Sequence, residues 1–273
     1  MKHCLMNNDE NKTEDRKTIK VKTKTIVANW KMHHGPSETR EFLGKFLPLL
    51  SERDLPRILL FPPAISLEVM SASIGKHTDI GLGIQNIYWE LEGAFTGEHS
   101  ATMAVSVGAE FALIGHSERR HLFGESNHQV KNKVSTSINA GLKPVVCVGE
   151  TKIERVRGDT ETIITQQLDS ILPEISDQKS GSILFAYEPV WAIGTGMLPE
   201  PDEIEEAHSL IRMWMKEKIG EAFSSSIPIL YGGSVNENNA KDLLKLSNVD
   251  GLLVGGASLD PVSFSKIIES ASL

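Results

Sequence analysis

Glu188 ends one apolar run of the chain, and His116 directly follows another. A carboxylate in such a place is costly unless it is partnered or used. It is therefore either half of a buried ion pair or a working base. His116 faces a similar choice, between a satisfied core histidine and a catalytic imidazole. It stands in Gly115-His116-Ser117-Glu118-Arg119-Arg120. A helical turn starting there would put the ring at a positive helix end and favour its neutral form. Lys31, in Asn29-Trp30-Lys31, is a solvated charge if it stands alone and an anion-binding group if it stands at a shared mouth. Two glycine pairs follow late apolar runs, in Tyr231-Gly232-Gly233-Ser234 and Gly255-Gly256-Ala257-Ser258. Turns explain one such pair. Two of them suit backbone N–H groups that approach a phosphate closely. After Glu188 come Pro189, the bulky stretch Val190, Trp191, Ala192 and Ile193, and then Gly194, Thr195 and Gly196. That composition predicts a rigid lid with flexible ends. One base, one imidazole, one cation, a phosphate cradle and a lid fit proton abstraction beside a carbonyl in a small phosphorylated substrate. Spacing alone names no substrate. No dinucleotide fingerprint, metal-ligand spacing or Ser or Cys beside a base occurs, so neither metal nor cofactor is expected.

These residues need a scaffold that brings them together. Eight short β-branched or apolar runs are predicted as strands: 25–29, 58–61, 80–85, 111–115, 144–148, 183–188, 228–231 and 251–255. They recur at intervals of about thirty residues, the length of a strand plus a crossover helix. Helices are predicted over 37–50 with Ser37 as N-cap, 127–140, 160–172 ending before Pro173, 201–219, 238–246 and 261–269. Strands apolar on both faces belong in a parallel sheet covered by helices. Eight units point to an α/β fold, a single closed (β/α)8 barrel, whose active site lies at the C-terminal ends of the strands. The runner-up is an open doubly wound sheet. Its usual Gly-x-Gly-x-x-Gly turn is missing after the first strand.

The chain has 273 residues, a formal net charge of -8 and 23% charged residues. That balance argues against a nucleic-acid partner, which wants a basic face. No apolar stretch approaches a membrane span. Two cysteines, Cys4 and Cys147, suit a reducing, cytoplasmic setting, and Cys147 reads as structural. Residues 1–24 are polar and lack a secretory apolar region. They are expected to form a disordered extension ahead of a catalytic barrel domain over 25–273.

Several long motifs resemble the triosephosphate isomerase family, in order and spacing, over about residues 25–271. They include Asn29-Trp30-Lys31-Met32, Gly93-Ala94-Phe95-Thr96-Gly97-Glu98, the His116 segment and Cys147-Val148-Gly149-Glu150-Thr151. The others are the stretch from Ala186 to Gly196, Tyr231-Gly232-Gly233-Ser234-Val235 and Val254-Gly255-Gly256-Ala257-Ser258-Leu259. The resemblance implies interconversion of dihydroxyacetone phosphate and glyceraldehyde 3-phosphate without a cofactor. Glu188 would be the base, neutral His116 the electrophile and Lys31 the cation, with Asn29 beside it. Gly194, Ser234, Gly255 and Gly256 would give backbone donors to the phosphate. Ser117 would stand by the resting base and Glu118 by Lys31. The resemblance also implies a homodimer, with Thr96 reaching the partner's site and a Glu98–Arg119 ion pair between subunits.

The chain departs from that pattern after Gly196, at Met197-Leu198-Pro199-Glu200-Pro201. Pro199 fixes φ and stiffens the end of the lid, and Glu200 is a weak N-cap. Slower loop exchange than in a Pro199→Ala variant is expected; equal rates, measured by NMR relaxation, would refute it. Ile84 stands where the family more often has Ala. Two other readings remain open on sequence alone. One is a different phosphate-binding isomerase or lyase on the same barrel. The other is a binding protein built on an inactive barrel, which would be natural had Lys31, His116 or Glu188 been lost.

Overall fold

The computed structural model describes residues 23–50, 55–75, 77, 80–176, 182–194 and 197–272. The apolar runs form eight parallel strands: β1 (Thr25–Asn29), β2 (Arg57–Phe61), β3 (Ile80–Ile84), β4 (Phe111–Ile114), β5 (Lys143–Val148), β6 (Leu184–Tyr187), β7 (Ile229–Tyr231) and β8 (Gly251–Val254). Each pairs with the next, and β8 returns to β1 with Thr25 opposite Gly251, closing a barrel. The open-sheet alternative is thereby excluded. Strand side chains split between two cores. Val27, Leu59, Phe61, Phe111, Leu113, Val145 and Leu230 cluster with other strand residues. Their sequence neighbours Ile26, Ile58, Leu60 and Ala112 pack with helix residues such as Phe46, Val134, Ile171 and Phe264. That division is why the strands are apolar on both faces.

Among the described residues the helices are α1 (Pro36–Phe46), α2 (Leu67–Ile74), α3 (Ala101–Ser106), α4 (Ser117–Leu122), α5 (Asn127–Asn139), α6 (Lys152–Val156), α7 (Thr160–Ile175), α8 (Pro201–Lys218), α9 (Glu221–Ser226), α10 (Ala240–Lys245) and α11 (Pro261–Glu269). Two expectations are corrected. Ser37 lies inside α1, because Pro36 takes a first-turn position and Gly35 is the N-cap. Helix α7 runs through Pro173 to Ile175. Buried Ile171 and Ile175 continue its apolar stripe past the proline, and their packing outweighs the lost backbone bond. Helices α2, α3, α6 and α9 were not anticipated, since so few turns carry little periodic signal, while α4 is the helical turn considered at the His116 segment. Residues 1–22 of the expected extension lie outside the described residues. At its end Lys24 Nζ donates to Val249 O at 2.6 Å.

His208, on α8, is fully buried between the rings of Tyr187 and Tyr231. Burial pushes its pKa down to about 4, against the opposing pull of the Asn248 carbonyl that Nδ1 meets at 3.0 Å. A neutral buried imidazole is stabilising above the unfolded value of 6.5 and loses that contribution as pH falls toward 4. The full loss is about 3 kcal/mol. Thermal melts of the wild type and of His208→Asn at pH 7 and pH 5 should show a smaller drop for the variant. Equal drops would assign acid sensitivity elsewhere.

Candidate active site

The strand ends deliver Asn29, His116, Glu188 and the two glycine segments to one mouth of the barrel. They line a cavity of about 340 Å³ with Lys31, Ile193, Gly194, Ser234, Gly255 and Gly256. Lys31 follows β1 with φ of 52°, a left-handed conformation that is uncommon outside glycine. Its backbone is held on both sides. Lys31 N–H donates to Asn29 Oδ1 at 3.1 Å, and Gln85 Nε2 donates to Lys31 O at 2.9 Å. Such an outlier persists only where its surroundings hold it. Here they direct Nζ to Glu118 Oε1, 2.6 Å away, and alongside Gly255.

Glu188 follows β6 and is almost wholly buried. Its Oε1 lies 3.0 Å from His116 Nε2, and its Oε2 accepts the Ser117 backbone N–H at 2.8 Å. Burial acts to raise its pKa, but His116, the Ser117 N–H and Lys31 together hold it below the ordinary carboxylate value. The group is therefore held as a carboxylate. Two glycines make room for it. A Cβ at Gly149 would lie 1.9 Å from Glu188 O, and one at Gly232 would lie 2.9 Å from Glu188 Cγ. Backbone closeness at Gly232 therefore seats the carboxylate, and its N–H is spent on Tyr187 O at 2.8 Å.

His116 caps α4, with Nδ1 facing the Glu118 N–H at 3.3 Å. That N–H needs a lone pair, which the neutral ring offers when its proton is on Nε2. Burial lowers the pKa of His116, while the adjacent Glu188 carboxylate outweighs it and raises the value.

The predicted lid starts as a short 3-10 turn, Val190–Ala192, held at several points. Trp191 Nε1 donates to Glu150 Oε1 at 3.0 Å, Val190 N–H to Glu150 O at 3.1 Å, and Ser234 Oγ to Ala192 O at 2.6 Å. Gly194 is exposed with φ of 69°. Thr195 and Gly196 lie outside the described residues. The weak cap expected at Glu200 is served from the other side, since Glu203 Oε2 accepts the Glu200 N–H at 2.9 Å.

The structure brings together Asn29, Lys31, His116, Ser117, Glu118, Glu188, Gly194, Ser234, Gly255 and Gly256. It does not bring Thr96 or Glu98 to that cavity; both are exposed on the loop after β3. Arg119 pairs within its own chain, Nε lying 3.1 Å from Glu125 Oε2. Sequence reasoning missed Gln85, Glu150 and Gln167. Gln167 brackets Gly149 with bonds of 2.8 and 3.0 Å. A polar residue just past a strand end, the signal that found Glu188, also marks Gln85 and Glu150. Gln167 is on α7 and gives no such sign. Cys147 is buried, and burial pushes its thiol well up, out of the nucleophilic range. Among the described residues no cluster of metal-ligating side chains occurs, and no helix is long and apolar enough to cross a membrane.

The cavity thus holds one carboxylate, one imidazole and one ammonium beside two glycine segments. The profile of the family "Triosephosphate isomerase" matches residues 24–271. A protein of that name from Dictyoglomus thermophilum is 43% identical over 250 residues, covering 92% of this chain and 100% of the relative. Another from Aquifex aeolicus is 43% identical over 245 residues, covering 90% and 98%. A third, from Bdellovibrio bacteriovorus, is 44% identical over 244 residues, covering 89% and 98%.

Proposed function

Since the chain belongs to the triosephosphate isomerase family, we propose that Glu188, His116 and Lys31 divide its reaction among base, electrophile and cation. The protein is an isomerase that interconverts dihydroxyacetone phosphate and D-glyceraldehyde 3-phosphate through an enediolate, a step of glycolysis. The observation that carries the residue assignment is the Glu188–His116–Lys31 grouping around one cavity.

Glu188 takes a proton from the carbon beside the carbonyl and returns it to the neighbouring carbon. His116 Nε2–H donates to the oxygens as charge develops on them, and Lys31 offsets that charge. Asn29 holds Lys31 in place. The backbone of Gly194, Ser234, Gly255 and Gly256 receives the phosphate, without metal or cofactor. Residues 189–194 close over the substrate, so that water stays out and the enediolate does not lose phosphate. Isomerisation run in deuterium oxide tests this: product should carry deuterium at the carbon beside its carbonyl. Turnover with no solvent exchange at all would favour hydride transfer between the carbons instead.

A homodimer is part of the same proposal. Leu91, Phe95, Met103 and Val105 are exposed on and after the β3 loop that carries Thr96 and Glu98. Exposed apolar groups in such numbers suit a protein interface. Sedimentation should give twice the chain mass of 30.0 kDa. A cytoplasmic location fits the buried, free thiol of Cys147.

A further inference from the structure

Two acids flank the Trp191 segment, and one guanidinium touches both. Glu150 is fully buried. It accepts Tyr187 OH at 3.1 and 3.2 Å as well as the Trp191 indole N–H, so it anchors the entry to that segment. Glu203 accepts the Glu200 N–H and so anchors the exit, where α8 starts. Arg155, on α6, reaches between them. Its Nη1 lies 3.5 Å from Glu150 Oε1, its Nη2 lies 2.7 Å from Glu203 Oε1, and its Cζ lies 5.4 Å from the centre of the Trp191 ring.

We infer that Arg155 is a positioning residue for the isomerisation, tying the entry and exit of the Trp191 segment into one unit. The inference rests on the isomerase reading above. Arg155 does not line the cavity, and it acts through Glu150 and Glu203. Burying a carboxylate beside no cation is costly, and Arg155 is the cation set against Glu150. Glu150 accepts from Tyr187 and Trp191 together, both on Oε1, so its position fixes theirs. The planar fork of arginine reaches two carboxylates at once while its face lies toward an indole. A lysine, as a point charge, satisfies one. Ala192 and Gly194, downstream of Trp191, adjoin Ser234 and the cavity, so a loosened Trp191 moves the phosphate end of the site.

The test compares the full-length wild type with Arg155→Met, Arg155→Lys and Glu203→Gln. The readouts are kcat, KM, Tm and the fraction of substrate lost as inorganic phosphate plus methylglyoxal. In that side reaction the enediolate breaks its C–O bond to phosphate and the electron pair leaves with phosphate; the enol left behind gains a proton from water at carbon and gives up its hydroxyl proton to water, forming methylglyoxal. Arg155→Met is expected to lower kcat/KM on the order of 10- to 100-fold. The eliminated fraction should rise several-fold, with Arg155→Lys intermediate and Glu203→Gln changing the partition in the same direction. Wild-type kcat/KM and wild-type partition in Arg155→Met, with only Tm lowered, would overturn the inference. If Arg155→Met fails to fold, the half-exposed Glu203→Gln decides by its partition alone. A wild type that does not isomerise would refute the underlying reading, which is a separate outcome.

Discussion

Glu188→Ala should lower kcat by about 10²–10⁴-fold, the contribution of a positioned general base. Among the described residues no second carboxylate at the cavity is free to replace it. Glu118 is committed to Lys31 at 2.6 Å, and Glu150 to Tyr187 and Trp191. Glu188→Asp is the sharper test, because it keeps the charge and draws it back by one methylene. A misplacement of about 1 Å costs on the order of 10²-fold when the reacting atoms must be in line. The resting carboxylate is held by His116 and the Ser117 N–H, and a shorter side chain cannot keep both partners and still reach substrate. Loss of the carboxylate also leaves that N–H unpaired in a buried place, which destabilises by about 1–3 kcal/mol. Assays should therefore be run well below the variant's Tm. Full activity in folded Glu188→Asp would remove Glu188 from the role of base.

Lys31→Met should lower kcat by about 10²–10³-fold, the scale of one preorganised group facing developing charge. It should also raise KM, since the cation attracts a dianionic substrate to a chain of net charge -8. The variant has a second consequence. Glu118, half-exposed at the cavity, loses the ammonium it faces and becomes an uncompensated negative charge. Lys31→Met with Glu118→Gln should thus recover part of the KM and none of the kcat. If the double variant regained kcat, Lys31 would be no more than a shield for Glu118. The positive φ of Lys31 supports a functional reading, because a left-handed non-glycine residue is strained and here has two hydrogen bonds dedicated to it.

Much of this was legible in the chain itself. Apolar runs such as 58–61 and 251–255 read as strands buried on both faces, and eight of them at helix-plus-strand spacing favour a closed barrel over an open doubly wound sheet. Once that is granted, the residue after each strand faces one mouth, which is why Lys31, His116 and Glu188 could be named together. Local periodicity carries that information because it repeats over many residues. It fails where an element is short, as in α3 and α6, or where burial overrides a breaker, as at Pro173 in α7.

What a side chain does with its neighbours is decided by the fold alone. Gly232 looked like part of a phosphate cradle, but its missing Cβ makes room for Glu188. Gln167 is an ordinary helix residue until α7 lays it across Gly149. Arg155 stands 48 positions before Glu203 and meets it at 2.7 Å. Residue types and spacing thus determined the strand-and-helix repeat and the candidate reacting groups, because those follow from local patterns read in order. Charge states, close approaches and the ties around Trp191 depend on contacts between distant segments, and only the tertiary structure supplies those distances.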